Sequence, residues 1–231
     1  SGLLQEDALN CDPERIGCAV GSGIGGLKTI EDTTSTYLSR GPRKVSPFFI
    51  PGSIINMIGG YVSLQYNLKG PNFAMVTACS TATHCIGSAA RMIQYSEADV
   101  MLAGGGEFAT TPTALSGFAS ARAMSLRNDE PEKASRPWDA ERDGFVLANG
   151  SGVVVLEELE HALARGAEIY GEVIGFGMSA DAHHMTAPPE DGEGAARCMS
   201  IAVKDAGVDP AEVDYINAHG TSTPLGDLAE T

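Results

Sequence analysis

Cys79 stands between a strand-like run, residues 73–77, and a helical run, residues 80–95. At such a junction the first N–H groups of the helix and its dipole favour a thiolate over a thiol. A thiolate there is a nucleophile suited to accepting an acyl group. Position alone leaves this reading open against a buried structural thiol, the commoner fate of a free cysteine. Cys85 lies well inside the helical run and reads as structural. A second constellation, HGTSTPLGD from His219 to Asp227, leaves the strand-like run 213–218. The ring N–H of His219 is suited to donate to a thioester carbonyl oxygen or a developing enolate. Taken alone, a loop histidine reads as structural or solvated, and the hydroxyls of Thr221, Ser222 and Thr223 alter that little.

Two other motifs hold residues of types that bind cofactors or metals. GSGIGG, Gly21 to Gly26, is a literal G-x-G-x-x-G after a strand-like run and before a helical one. A dinucleotide fold also needs an acidic residue about 20 positions on. The stretch 43–51 holds no acid and no strand signal, so the glycines are read as a tight backbone turn beside a pocket. Asp181-Ala-His183-His184 offers no metal site, because adjacent histidines point apart and no third ligand is near in sequence. His161, in the charged run EELEHALARGA, is read as a solvated surface residue.

The elements that must hold these groups alternate between strand and helix. Strand patterns fall at 15–20, 73–78, 99–103, 152–156, 169–176 and 213–218; helical patterns fall at 27–38, 53–66, 80–95, 112–119, 158–164 and 194–206. Such alternation predicts an α/β architecture around a buried sheet. Residues 127–143 are polar and proline-bearing and read as a long ordered loop. The closing GDLAET reads as the opening turn of a helix. With 231 residues and 43% hydrophobic content the chain can build a proper core. A net charge of -15 argues against nucleic acid and anionic membranes as partners. No run of about 18 apolar residues predicts membrane insertion, and the opening decapeptide lacks a signal-peptide pattern. Five cysteines without framework or zinc spacing fit reduced thiols, hence a cytoplasmic location.

Together, VTACSTATHCIG, RPWDAERDGFVLANGSG, GFGMSADAHHMTAPP and NAHGTSTPLGD resemble, in order and spacing, the β-ketoacyl synthases of the thiolase superfamily. ADAHHMTAPP is similar to the synthase II branch of bacterial fatty-acid synthesis, while HCIGSAAR and AGGGE echo synthase I. The resemblance implies a thiolase-like five-layered αβαβα fold, incomplete in this chain. Residues 1–166 would match most of the N-terminal half, without its opening, and residues 167–231 the beginning of the C-terminal half. It implies a homodimer and a ping-pong reaction: acyl transfer to the cysteine, decarboxylation of malonyl-acyl carrier protein, and condensation. No cofactor is implied beyond the phosphopantetheine arm of acyl carrier protein.

Residue by residue, the resemblance makes Cys79 the acyl acceptor and His219 the first of two active-site histidines. Thr221 and Thr223 match hydroxyls that bind the pantetheine arm, and Thr186 lies near that tunnel. Phe118 matches a residue beside the cysteine. Ile24 and Phe49 resemble residues bounding the acyl pocket, Phe49 from across the dimer. Arg43, Lys44 and Arg122 resemble basic spots that dock the acidic carrier protein, and Glu230 a structural acid. The family's second histidine, its lysine and its glycine-rich phenylalanine gate would lie beyond Thr231, so the 231-residue chain alone is expected not to condense. Two alternatives share the motifs: a polyketide ketosynthase domain, and a non-catalytic ketosynthase partner.

Overall fold

A four-stranded sheet with a helix against each face forms the heart of the first of two units in the computed structural model, which describes residues 9–231. The opening segment considered above for a signal pattern lies, in residues 1–8, outside the described residues. The strands are β1 (Ile16–Gly21), β2 (Asn72–Phe73), β3 (Val100–Glu107) and β4 (Gly150–Glu157), in the order β2-β1-β3-β4. β1 runs parallel to β2 and to β3, whereas β3 and β4 are antiparallel from Val100 opposite Glu157 to Glu107 opposite Gly150.

Because successive strand residues face opposite ways, β1 and β3 feed two separate cores. Ile16, Cys18 and Val20 join Val100, Leu102 and Leu68 on one face, where Ile58 and Val62 of α2 (Met57–Tyr66) close the packing. Ala19, Met101 and Ala103 point to the other face, onto Cys85 and Ala89 of α3 (Thr81–Gln94). Cys85 and Ala89 are the fully buried α3 side chains of this face, with Ile86, Met92 and Ile93 packed around them. α1 (Leu27–Arg40) and α5 (Leu159–Ala164) complete this unit.

The second unit combines Pro112–Ala148 with Ile174–Thr231. It holds α4 (Pro112–Ser120), α6 (Glu193–Ala206) and α7 (Pro224–Ala229), the last arising from the closing residues expected to begin a helix. Its buried polar side chains include Ser222 and Asp227, both fully enclosed.

Three expected strands differ from the structure. After Phe73 the chain still runs beside β1, since a Cβ on Gly21 would overlap the Met75 carbonyl, but ladder pairing stops at Phe73. Residues 169–176 and 213–218 carry no strand. A strand needs a neighbour to take its backbone groups, and β propensity alone does not supply one. Instead, Phe176 donates its N–H to Asp205 at 2.9 Å, and a Cβ on Gly175 would overlap backbone of α6. The second helix also begins at Met57 rather than Ser53, because the Ser53 carbonyl accepts the Gly26 N–H at 3.1 Å. Residues 127–143 form the expected loop, with one short turn of 3-10 helix at Pro131–Lys133. No helix of the described residues is long and apolar enough to cross a membrane.

Candidate active site

In the first unit Cys79 occupies a single 3-10 turn, Ala78–Ser80, directly ahead of α3, and it is exposed. The residue before it, Ala78, has φ 52, a left-handed conformation that a side chain adopts only when its surroundings impose it. Those surroundings are visible. Thr77 donates its N–H to Thr81 Oγ1 at 2.9 Å, and Thr77 Oγ1 pairs with His84 Nδ1 at 2.7 Å. The Ser80 N–H returns to the Thr77 carbonyl at 3.1 Å. The turn thus leaves Cys79 exposed at the head of a fourteen-residue helix. Cys85, by contrast, is fully buried between α3 and the sheet. Burial also pushes the Cys18 thiol up to about 11, with Cys85 adding to the effect, so Cys18 stays protonated at neutral pH.

The glycine turn lies against this elbow. A Cβ on Gly23 would sit 3.3 Å from both Cα and O of Ala78, and 2.9 Å from Glu107 Oε2. Glu107, at the end of β3, accepts from Ser22 Oγ at 2.7 Å, Gly23 N–H at 2.8 Å and Ile24 N–H at 3.0 Å. Ile24 is 40% exposed at the tip of that turn. Phe49, half-buried, belongs to the turns 47–53 whose Ser53 meets Gly26. Arg43 and Lys44 are exposed on the 3-10 turn Pro42–Lys44.

In the second unit His219 is exposed, and Glu230 receives its N–H at 2.7 Å and that of Gly220 at 2.8 Å. Thr221 and Thr223 share a hydrogen bond between hydroxyls at 2.9 Å. Thr186 is exposed, its N–H donated to His184 Nδ1 at 3.2 Å. Phe118, on α4, packs edge-on against Phe145 with ring centroids 5.2 Å apart. Arg122 is exposed just after α4, with φ 54. Among the described residues no group of three or more His, Cys, Asp and Glu side chains is placed to hold a metal ion.

The structure adds residues that sequence reasoning passed over. Asp227 Oδ2 accepts the Trp138 N–H at 2.9 Å and lies 3.3 Å from Arg142 Nε, while Oδ1 accepts the Ser222 N–H at 3.0 Å. Trp138 Nε1 donates to the Asp227 carbonyl, and Arg142 to the carbonyls of Thr223 and Pro224. The RPWDAERDGF loop is therefore a brace wrapped around the histidine-bearing turn. In the sequence this run stands out as one of the motifs shared with the family and as part of an ordered loop, but nothing in it marks Trp138 and Arg142 as partners of Asp227.

The candidate residues are an exposed cysteine at a strained elbow in the first unit and a histidine in a braced, hydroxyl-rich turn in the second. Residues 1–162 match the family model "Beta-ketoacyl synthase, N-terminal domain", and residues 170–231 match "Beta-ketoacyl synthase, C-terminal domain". The chain belongs to the β-ketoacyl synthase family and has its thiolase-like fold. It is 59% identical over 230 residues to the 3-oxoacyl-[acyl-carrier-protein] synthase 2 of Vibrio cholerae, covering 98% of this chain and 56% of that protein. It is 61% identical to the protein of the same name from Coxiella burnetii, over 94% of this chain and 52% of the relative. The chain thus spans about half the length of these curated relatives. A β-ketoacyl synthase from Burkholderia phymatum superposes with TM-score 0.89 at 38% identity, over 99% of this chain and 55% of that one. A type II PKS ketosynthase, solved with its acyl-carrier protein and the hexaketide, gives TM-score 0.90 at 33% identity, covering 96% and 56%.

Proposed function

We propose that this chain carries the acyl-accepting half of a β-ketoacyl-acyl carrier protein synthase that extends fatty-acyl chains by decarboxylative Claisen condensation. The observation that carries the reading is the exposed Cys79 on its strained turn ahead of α3. The thiolate attacks the carrier-bound acyl thioester, and the carrier's own thiol leaves with the proton. Malonyl-carrier protein then loses CO2, and the resulting carbanion attacks the Cys79 thioester. The cysteine is freed, and the product is a 3-oxoacyl thioester two carbons longer. His219 donates to the malonyl thioester oxygen as enolate charge develops, a contribution of about 3 kcal/mol for one well-placed donor. Glu230, accepting the N–H groups of His219 and Gly220, holds that part of the turn.

Thr221, Thr223 and Thr186 are assigned to the pantetheine arm, Phe118 to the surroundings of the thiol, and Ile24 and Phe49 to the acyl pocket. Phe49 does so from a second subunit of a homodimer. Exposed Phe48 and Ile50 on either side of it, and exposed Tyr61 and Leu64 on α2, support an apolar subunit contact. Arg43, Lys44 and Arg122 receive the acidic carrier protein, and no cofactor enters beyond the carrier's arm. We assign the protein to the cytoplasm, beside its carrier.

Fatty-acid elongation is favoured over polyketide synthesis because identity is 59% to a 3-oxoacyl synthase and 33% to the type II PKS ketosynthase. A non-catalytic partner would lack the nucleophile that Cys79 supplies. Incubating the full-length protein with acyl- and malonyl-carrier protein tests the proposal. One CO2 per 3-oxoacyl product is expected, and the product is abolished by Cys79→Ala; product formation that survives that change would refute it. Arg43→Glu with Lys44→Glu should raise KM for carrier-bound acyl groups and leave that for free acyl-pantetheine thioesters unchanged.

A further inference from the structure

The Glu107 carboxylate receives three donors from the turn beside the cysteine, and a fourth contact is indirect. Ser22 Oγ, which donates to Oε1, itself accepts the Gly25 N–H at 3.0 Å. Four consecutive residues, Ser22 to Gly25, are thereby tied to one side chain. Glu107 is in turn fixed by the sheet, opposite Gly150 on β4, with Gly105 on the same strand opposite Gly21 of β1. Gly23 is confined between this carboxylate and Ala78, the residue preceding the nucleophile. Moving the carboxylate moves the turn, and Ile24 with it.

We infer that Glu107 is a positioning residue: it clamps the Ser22–Gly25 turn so that Ile24 stands at a set distance from the Cys79 elbow, and so selects which acyl chains reach the thiol. The inference rests on the proposed reading of Cys79 as acyl acceptor and of Ile24 as a boundary of the acyl pocket. The role is one of shape. Three donors converge on the carboxylate, and a glutamine keeps the shape of the clamp: its carbonyl accepts the Gly23 and Ile24 N–H groups, and its NH2 donates to Ser22 Oγ once the serine hydroxyl turns its own proton away. An alanine leaves all three without an acceptor and releases the turn.

The test uses the full-length protein and compares rates of Cys79 acylation by C12- and C6-carrier protein. In Glu107→Ala the C12:C6 ratio should move toward unity by roughly 10-fold, the scale expected when a group beside the reacting atoms is misplaced by less than an ångström. Glu107→Gln should restore the ratio to near the wild-type value. Glu157→Ala serves as the control for general destabilisation. Glu157 is buried at the far end of the same sheet, opposite Val100 and about 23 Å along the strand from Glu107. It should lower the melting temperature and leave the ratio unchanged. If Glu107→Ala does not fold, Ser22→Ala, which removes one of the clamped donors, should shift the ratio in the same direction.

An unchanged ratio in a folded Glu107→Ala, with acylation still abolished by Cys79→Ala, would overturn this inference and leave the nucleophile standing. An equal shift in Glu157→Ala would also overturn it. Acyl uptake that persists in Cys79→Ala would remove the reading beneath it.

Discussion

Asp227 shows how much one side chain can hold in this protein. It is fully buried, and its carboxylate meets the Trp138 N–H, the Ser222 N–H and the Arg142 guanidinium. Asp227→Ala strands all three, and breaking such a buried pair costs about 3–5 kcal/mol. Denaturant unfolding should show that loss, with Asp227→Asn less severe because its oxygen keeps one donor. Ile24 makes the opposite case, a residue whose change should alter selectivity and spare the fold. Ile24→Phe adds bulk beside the Cys79 elbow and should slow acylation by C12 donors more than by C6 donors; equal rates with both would remove Ile24 from the acyl path. Residue type and neighbours made Cys79 and His219 candidates, each with a structural alternative, whereas Ile24 came only from the family resemblance. Asp227 lay within the quoted HGTSTPLGD motif yet was assigned no role, since burial and a partner 89 residues away leave no local trace.

The helices were largely legible as elements because their apolar spacing and glycine stops are local. α1 and α6 end at Gly41 and Gly207, with φ 79 and 70, where glycine relieves the left-handed strain. The sheet was legible where β1 and β3 lie in its middle, each strand closed on both sides. Residues 169–176 and 213–218 carry the same alternation, yet Tyr170, Tyr215 and Ile216 remain exposed and no ladder forms among the described residues. Pairing is a property of two segments, and one segment's pattern cannot report the other. Close approach between elements is the other feature invisible in a pattern. A Cβ on Gly21 would overlap both the Met75 carbonyl and Thr81, which anchors the cysteine turn. Gly21→Ala should therefore cost about 1–3 kcal/mol in unfolding free energy, and it should slow Cys79 alkylation in the remaining folded protein.

At the scale of the whole molecule, charge decides what the protein meets and how it responds to acid. A chain of net charge -15 repels an acidic carrier over most of its surface. On the proposed function, docking needs local exceptions, and the exposed turn bearing Arg43 and Lys44 is assigned that role. Acid stability depends on other carboxylates. Burial raises the Glu157 pKa, but hydrogen bonds from Arg165 and His161 and their charges outweigh it, leaving the carboxyl below its ordinary 4.5. A depressed folded pKa adds stability that is fully present above the unfolded value and lost as pH falls through the folded one. Glu157→Gln should thus cost about 2 kcal/mol at pH 7, with the gap to the wild type closing as pH drops below 4.5.

The central claim, that Cys79 takes the acyl chain, is tested most directly by exposing the full-length protein to long-chain acyl-carrier protein, then measuring intact mass and mapping the peptides. The account predicts an added acyl mass on the peptide holding Cys79, absent in Cys79→Ala and unaffected in Cys85→Ala. A folded protein that gains no adduct, or carries it on another residue, would contradict it.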